Sequence, residues 1–314
     1  MVQYAKFEIE STYGTDPNTS PKGYEILNES LKLNPGHKFI RSSADQRIQN
    51  AKVEVGQITQ GKVTSLIRPD MQLGFWLKCL FGKNPVTTTL EVGRYQHVFT
   101  HADDPAIAWP SMAMRIGVNN LTERRYPGLL VDSADFYVSD GAELGADWNL
   151  IGRPYTAAAI GTAGTYGSQK FYTMPNLTTF QLAAVTYAIR MLSISIKNNM
   201  NKAAFENGNR GLARGEFGEL EVVGEIGLRY TTQAVLDDFL AETPRKLTAT
   251  FVGPTLLAGT YQLKFEIDQC SLEADNVHFD EQKQIIQSVP FTAYKNGSNP
   301  LVQATLIDAI ASYA

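Results

Sequence analysis

Two stretches of this chain share a pattern that predicts a β-strand running directly into a short helix. The first covers residues 53–63 and 69–82, and the second covers residues 220–230 and 232–240. An offset of 167 positions, which takes residue 54 to residue 221, aligns Glu54 with Glu221 and Lys62 with Arg229. Internal repeats constrain a fold strongly, so this pair predicts duplication, with chance similarity between two ordinary strand–helix units as the alternative.

Side chains alternate between the two faces of a strand, so each strand of the pair has one wet face and one packed face. We predict that the packed faces carry Val53, Val55, Val63, Leu220, Val222, Ile226, Leu228 and Tyr230. The wet faces then carry Glu54, Gln60, Lys62, Glu221, Glu225 and Arg229.

The two helices are predicted from apolar residues at helical spacing. In the first, Pro69 suits the first turn and Gly82 suits the left-handed position after the last turn. In the second, Thr232 can cap the N-terminus. The residues predicted to pack are Leu73, Trp76, Leu77 and Leu80 in the first helix, and Val235, Leu236, Phe239 and Leu240 in the second.

The rest of the chain predicts a mainly β protein of the sandwich or barrel type with two similar halves. Residues 1–152 form the first half with an N-terminal extension, and residues 179–314 form the second. Between them, residues 153–178 contain an Ala/Gly/Thr-rich stretch without periodicity, which indicates a linker. Asp140-Gly141 and Asn296-Gly297 each predict a two-residue turn between paired strands, so a hairpin closes each half.

Composition excludes several classes of function. The net charge of −4 is unfavourable for a sequence-reading nucleic-acid binder. Two cysteines make neither a disulfide framework nor a zinc site. The sequence shows no signal peptide and no run of 18 apolar residues, from which we expect a protein made in a cytoplasm without stable membrane association.

No motif in the sequence predicts an active site, a metal site or a cofactor. His97 and His101 are four residues apart, but their surroundings indicate a strand, along which four residues span about 13 Å. The glycines of residues 161–167 match no phosphate-binding loop, and no histidine is joined to a nucleophile by a known motif. We therefore predict that the protein is not an enzyme, with an unrecognised hydrolase as a remote alternative.

Taken in order, a series of short motifs resembles the phage tail tube proteins. The resemblance covers most of the chain, although residues 153–178 and 254–284 follow no family pattern. The motifs are Glu10–Pro17, Val55-Gly56 with the strand that follows, the helix of 69–82, Tyr95–Phe99, Tyr126–Val131, Gly141–Ala146 with Gly152, Gly253 and the final hairpin.

The resemblance implies a structural protein of the virion tail, assembled in the host bacterial cytoplasm. Proteins of this kind form rings that stack into a hollow tube, with inner β-strands lining a lumen through which the genome leaves. A duplicated chain is then expected to make a pseudo-sixfold ring from three copies, closed as a β-barrel. The implied partners are further copies of the chain, the tape measure, terminator and baseplate or tip proteins, and genomic DNA in transit.

Within this reading the six wet-face residues become candidates for the lumen wall. Residues 11–50 and 153–178 are expected to bridge neighbouring rings and to become ordered on stacking. Two other functions stay open: the inner tube of a contractile injection or secretion system, and a two-domain β-rich adhesin or binding module of a virion.

Overall fold

The structure is a computed structural model that describes residues 2–40, 51–104, 107–203, 205–206, 211–229, 244–273, 276–279 and 285–313. Almost all regular structure in these ranges is β-strand, with one α-helix, α1 (Leu73–Phe81), and one 3-10 turn (Met174–Asn176). The strands are β1 Val2–Ile9, β2 Lys22–Gly23, β3 Asn28–Glu29, β4 Lys32–Ile40, β5 Ala51–Leu66, β6 Val86–Glu91, β7 Arg94–Thr100, β8 Met112–Val118, β9 Thr122–Ser139, β10 Gly145–Gly152, β11 Thr156–Ala158, β12 Leu177–Leu182, β13 Val185–Thr186, β14 Ile189–Lys197, β15 Glu221–Arg229, β16 Arg245–Leu256, β17 Gly259–Leu272, β18 Asn276–Phe279, β19 Ile285–Ala293 and β20 Val302–Asp308.

Eight strands form one long antiparallel sheet in the order β4–β5–β10–β9–β14–β15–β19–β18. We call it the long sheet. The prediction of a mainly β protein is confirmed. The long sheet does not close on itself within the chain, because β4 and β18 lie at opposite ends of this order.

Two strands of the long sheet, β9 and β19, also pair with strands of a second layer. The first part of β9 pairs with β8 and β11, and β8 pairs with β1. On the other side, β19 pairs with the last residues of β17. β17 in turn pairs with β16 and β20, and β16 pairs with β12. The main core draws buried side chains from both layers and from α1, as expected where two packed layers share one core.

Strand order is the same on the two sides of the long sheet. The first set is β4, β5, β9 and β10 in chain order, and its order across the sheet is β4–β5–β10–β9. The second set is β14, β15, β18 and β19 in chain order, and its order across the sheet is β14–β15–β19–β18, which is the same arrangement. The two sets meet where β9 pairs with β14 over seven residue pairs.

The first predicted helix is present, with a later start than predicted. Leu73, Trp76, Leu77 and Leu80 are buried as predicted, and Gly82 is left-handed with φ 79°. The placement of Pro69 in the first turn is wrong. Asp70 accepts hydrogen bonds from the backbone N–H groups of Ser168 (2.6 Å) and Gln169 (3.0 Å), which fixes this segment outside the helix, and α1 begins only after Gln72, itself left-handed. The second helix, with Val235, Leu236, Phe239 and Leu240, lies outside the described residues.

The prediction for the packed strand faces is correct for Val63, Val222, Ile226 and Leu228, which are buried, and Leu220 is half-buried against the core. It is wrong for Val53 and Val55, which are 43% and 56% exposed. Residues 51–58 extend beyond β10 and pair with β4, apart from one isolated bridge between Gln57 and Gly211, and a register shift opposite Gly36 leaves Val55 without a partner in β4. Among the described residues, no second layer covers Val53 and Val55. Tyr230 lies outside the described residues.

The predicted closing hairpin is also wrong. β19 and β20 do not pair with each other; both pair with β17 along the same edge, β20 at residues 262–267 and β19 at residues 270–272. The turn between them is held instead by Asp268, which accepts hydrogen bonds from the side chains of Asn296 (2.9 Å) and Asn299 (3.0 Å). A hairpin between β9 and β10 is confirmed, with Gly141 at φ 72°, but the pairing begins at Tyr137 and Gly145, so the connection is longer than the predicted two residues.

Residues 153–178 make most of their contacts with the first half of the chain, whereas residues 176–178 contact β16 of the second half. Thr156–Ala158 pair with β9, the N–H of Gly161 donates to the Tyr4 hydroxyl (2.8 Å), and Arg68 donates to the carbonyl of Gln169 (2.8 Å). The expectation that this stretch orders only on stacking is therefore wrong. Its role between rings stays a prediction.

The described part of residues 11–50 also contacts the rest of the chain, and Glu10 connects its start to the sheet. This carboxylate accepts hydrogen bonds from the N–H groups of Gly14 (2.8 Å) and Gly128 (2.8 Å) and from the Ser111 hydroxyl (2.6 Å). Burial raises the pKa of Glu10 against the opposing effect of these bonds. The tail-tube-like opening motif thus closes a loop onto β8 and β9, and ordering on stacking is wrong for its described residues.

Glu123 makes stability depend on pH. It contacts Tyr4 (2.7 Å), Lys6 (3.0 Å) and Arg125 (2.8 Å); burial opposes its ionisation, but these hydrogen bonds hold the pKa of Glu123 below its usual value. A carboxyl with a lowered folded pKa stabilises above its unfolded pKa and loses that contribution as pH falls. We expect the denaturation midpoint to fall more steeply below about pH 4.5 in the wild type than in Glu123→Gln. Equal pH profiles in urea titrations would contradict this.

Candidate functional site: the polar face of the long sheet

The long sheet has one face in the main core and one polar face. Most side chains of β5, β10, β9, β14 and β15 alternate between these faces, with Val63, Trp148, Phe136, Ile194 and Val222 among those in the core. The opposite positions carry the polar groups described below. The structure therefore brings the wet face of both predicted units onto one surface, although three strands lie between β5 and β15.

At the β5 end, Lys62 and Thr64 both contact Asp147 of β10. The Lys62 ammonium lies 2.7 Å from Oδ2, and the Thr64 hydroxyl donates to Oδ1 at 2.6 Å. The hydrogen bond to Asp147 raises the pKa of Lys62. Lys62 is thus a tethered cation rather than a free one.

In the middle of the face, Asp135 of β9 is the central acceptor. The Ser195 hydroxyl of β14 donates to it, and Asn149 of β10 lies 3.4 Å away while donating to Ser133 at 2.8 Å. These partners of Asp135 are neutral, and none of the ion pairs among the described residues includes Asp135.

At the β15 end, the two predicted glutamates have different partners. Glu221 forms an ion pair with Lys197 of β14 (2.9 Å), and both side chains are well exposed, at 43% and 38%. Glu225 accepts a hydrogen bond from the Ser288 hydroxyl of β19.

The remaining lumen candidates, Glu54, Gln60 and Arg229, lie away from the centre of the polar face. Glu54 is half-buried where β5 pairs with β4 alone and accepts a hydrogen bond from Gln57. Gln60 is half-buried opposite Lys32 of β4. Arg229 ends β15, and its side chain lies outside the described residues.

A second, smaller apolar cluster closes one end of the polar face. Ile58, Leu130 and Ile151 point to this side of the sheet and are covered by Trp109 and by the segment that follows β14. The cluster consists of Ile58, Ala102, Trp109, Leu130, Ile151, Met200 and Leu212, with Tyr13, Phe205 and Phe217 packed against it. The open part of the face therefore runs from Lys62 across to Glu225.

Sequence reasoning missed Asp135, Asp147, Lys197 and Ser195. The alternation of Asp135 with Ala134 and Phe136, and of Asp147 with Ala146 and Trp148, was the available signal. It could have placed these residues on a wet face, but not on the same face as Lys62 and Glu221, because that depends on which strands pair.

On the open part of the face, across the six strands from β5 to β19, the charged side chains named above are Asp135, Asp147, Glu221 and Glu225 against Lys62 and Lys197. Two further residues of these strands, Asp132 and Arg190, are in ion pairs with Lys202 and Asp140 and add no net charge. The net charge of this surface is therefore negative.

No cluster of three or more metal-ligating side chains occurs in the part of the chain that the structure describes. His97, the one histidine in β7, is buried between the Thr87 hydroxyl and the Ile310 carbonyl, each 2.8 Å away. Among the described helices none is long and apolar enough to cross a membrane.

The fold and this face together define a mainly β protein with one packed and one polar sheet surface. The family model described as phage tail tube protein matches residues 2–293. The chain belongs to the phage tail tube protein family, and it is a structural component of the virion tail. A comparison with curated proteins gave no match.

Proposed function

We propose that three copies of this chain close into a ring, that rings stack into the tail tube, and that the polar face of the long sheet lines the lumen through which DNA passes. The observation that carries the proposal is the continuous long sheet, whose polar face joins the wet sides of both predicted units. Membership of the tail tube family supports the role in a tube. Other copies, the proteins at the two ends of the tail and the tape measure are the partners that this role requires.

Duplication of a tail-tube-like half, over residues 1–152 and 179–314 with 153–178 between them, explains why strand order is the same in the two sets. Three duplicated chains supply six similar units and give exact threefold and approximate sixfold symmetry. Native mass spectrometry of rings should find three chains. Six chains would contradict the duplication.

The dimensions of such a ring suit DNA passage. Three copies of an eight-stranded sheet place twenty-four strands around the lumen. At about 4.8 Å between strands, their circumference is about 115 Å and their diameter about 37 Å. Strand tilt in a barrel widens this further, which leaves room for a duplex inside the inward side chains. Closure also removes the two sheet edges that would otherwise invite aggregation.

The charge of the face suits a conduit. Cationic side chains hold DNA by releasing counterions from its phosphates, whereas a weakly negative wall repels the duplex at short range. Here both lysines of the open face are tied to carboxylates, at 2.7 Å for Lys62 and 2.9 Å for Lys197. DNA therefore meets no unpaired ammonium group among these described side chains.

Charge reversal tests the lumen assignment. In Glu221→Lys/Glu225→Lys, the six charged groups of the open face become two carboxylates and four ammonium groups. We expect tubes of normal length and slower DNA release from purified particles, with the defect relieved at high salt because counterion release weakens as salt rises. The measurement is the rate of DNA release over a salt series.

A matched control reverses two ion-paired glutamates elsewhere. Glu25 pairs with Arg68 at 2.8 Å and has 42% side-chain exposure, close to that of Glu221, and Glu91 pairs with Arg94 at 3.0 Å. Glu25→Lys/Glu91→Lys should release DNA at the wild-type rate. Unchanged release in the first variant would place its face outside the lumen. Loss of tubes in that variant alone would place the face at an interface instead.

A further inference from the structure

The two ends of the long sheet are open edges. Among the described residues, β4 pairs only with β5, and β18 pairs only with β19. Unpaired backbone N–H and C=O groups along such an edge are a template for another strand. Residues 32 and 34–39 of β4 are exposed, and Phe39 is 55% exposed.

One strand pair within the chain shows how these two edges can pair between copies. β9, the third strand of the first set in chain order, pairs with β14, the first strand of the second set. In the second set β18 occupies the place of the end of β9, and β4 occupies the place of β14 in the first set. From this correspondence we propose that β18 of one copy pairs antiparallel with β4 of the next copy, in the register of the β9–β14 pair. The proposal rests on the ring proposed above and names the surface that closes it.

The register follows from the shared partners of each strand. Ser133 lies opposite Asn149, which lies opposite Lys62. His278 lies opposite Ile286, which lies opposite Arg229. Because Lys62 aligns with Arg229 in the repeat, His278 corresponds to Ser133.

The other side of the pair is derived in the same way. Lys197 lies opposite Glu221, and His37 lies opposite Glu54. Because Glu54 aligns with Glu221, His37 corresponds to Lys197. Ser133 and Lys197 are partners in the β9–β14 pair, so His278 of one copy should lie opposite His37 of the next.

Strand direction and length agree with this register. Eight antiparallel strands alternate in direction, so the last strand of one copy runs antiparallel to the first strand of an identical copy placed beside it. Such a head-to-tail contact repeats with one rotation and can close a ring. The register sets Asn276–Phe279 against residues 36–39, four residues against four. The next residue of β4 is Pro35, which has no N–H to donate to a partner strand.

Cysteine pairs test the contact directly. In His37→Cys/His278→Cys, oxidation of assembled rings should yield a covalent species of three chains on a non-reducing gel, because directly opposed residues have the Cα spacing that a disulfide requires. Phe39→Cys/Asn276→Cys, two residues along in the same register, should give the same species. The native Cys79 and Cys270 are buried, and burial raises the pKa of each to about 12, so neither competes as a thiolate.

The matched control is Lys38→Cys/His278→Cys, which displaces one cysteine by a single residue onto the opposite face of β4. It should stay uncrosslinked, as should each single variant. Three-copy rings seen by electron microscopy without crosslinks in either in-register pair would overturn this contact and leave the proposed function standing. If neither the wild type nor any variant forms rings or tubes, the proposed function fails first, and this inference fails with it.

Discussion

Replacing Trp76 with alanine is expected to lower the free energy of unfolding by about 3–5 kcal/mol. Trp76 is fully buried at the centre of an aromatic cluster, stacked on Tyr24 at 4.4 Å between ring centroids, with Phe7 at 5.6 Å and Trp148 at 5.0 Å. Truncation leaves a cavity that four elements, β1, α1, β10 and the segment before β3, cannot easily close together. Urea denaturation of the dispersed subunit measures the loss.

Trp76→Phe separates the aromatic contacts from the indole N–H. The Nε1 atom of Trp76 is buried without a hydrogen-bond partner among the described residues. A buried unsatisfied donor costs about 1–3 kcal/mol, so its removal offsets part of the lost volume. The phenylalanine variant should therefore lose less than half as much stability as the alanine variant. Val92→Ala, at a site 90% exposed, is the control and should change stability by less than about 0.5 kcal/mol. An alanine effect as small as that of Val92→Ala would refute the packing assignment.

The second large effect is expected from Asp16→Ala. Arg115 has only 1% side-chain exposure, and its Nε donates to Asp16 at 2.9 Å while Nη2 also contacts Asp16. The Glu8 carboxylate lies 3.9 Å from Nη2 of Arg115 and also accepts hydrogen bonds from the backbone N–H groups of Thr19 and Ser20. Removing Asp16 leaves the buried guanidinium with the more distant Glu8 carboxylate as its remaining described counter-charge, and breaking a buried pair in this way costs about 3–5 kcal/mol. Denaturant unfolding should show this loss, together with protease sensitivity of residues 10–20.

Two further variants show whether the buried charge is the cause. Asp16→Leu/Arg115→Met replaces both partners with apolar side chains, and it should be more stable than Asp16→Ala because no charge stays buried alone. Asp103 pairs with His101 at 2.9 Å and has 72% side-chain exposure, so Asp103→Ala should change stability by less than about 1 kcal/mol. If the double variant has a lower free energy of unfolding than Asp16→Ala, the role of Arg115 is packing rather than charge.

Local signals in the sequence were sufficient for the first strand and helix and for the β9–β10 hairpin. The spacing of Leu73, Trp76, Leu77 and Leu80 depends only on helical periodicity, and Asp140-Gly141 needs no distant partner. Val53 and Val55 show the limit of such reasoning. They alternate as a packed strand should, but burial also requires a second layer, and the first part of β5 extends past it.

Strand pairing is the part of the fold that the local sequence does not encode. The Asn296-Gly297 turn predicts a hairpin, but β17 offers both flanking strands an edge, and the asparagine side chains bond to Asp268 instead. The polar face depends on the same kind of pairing. The wet character of Glu221 and Lys62 was readable, whereas the place of Asp135 between them depends on β9 pairing with both β10 and β14.

The pairing of β7 with β20 has a consequence for how the chain is made. Residues 94–100 lie beside residues 302–308, and the His97 ring bonds to the carbonyl of Ile310 across 213 positions of sequence. Contacts of such high sequence separation form late, and they slow folding. During synthesis β7 lacks this partner until residues 302–308 have been made, about two hundred positions later. The second layer is therefore completed late in the folding of each subunit, and a subunit cannot present its finished surface to a growing polymer before then.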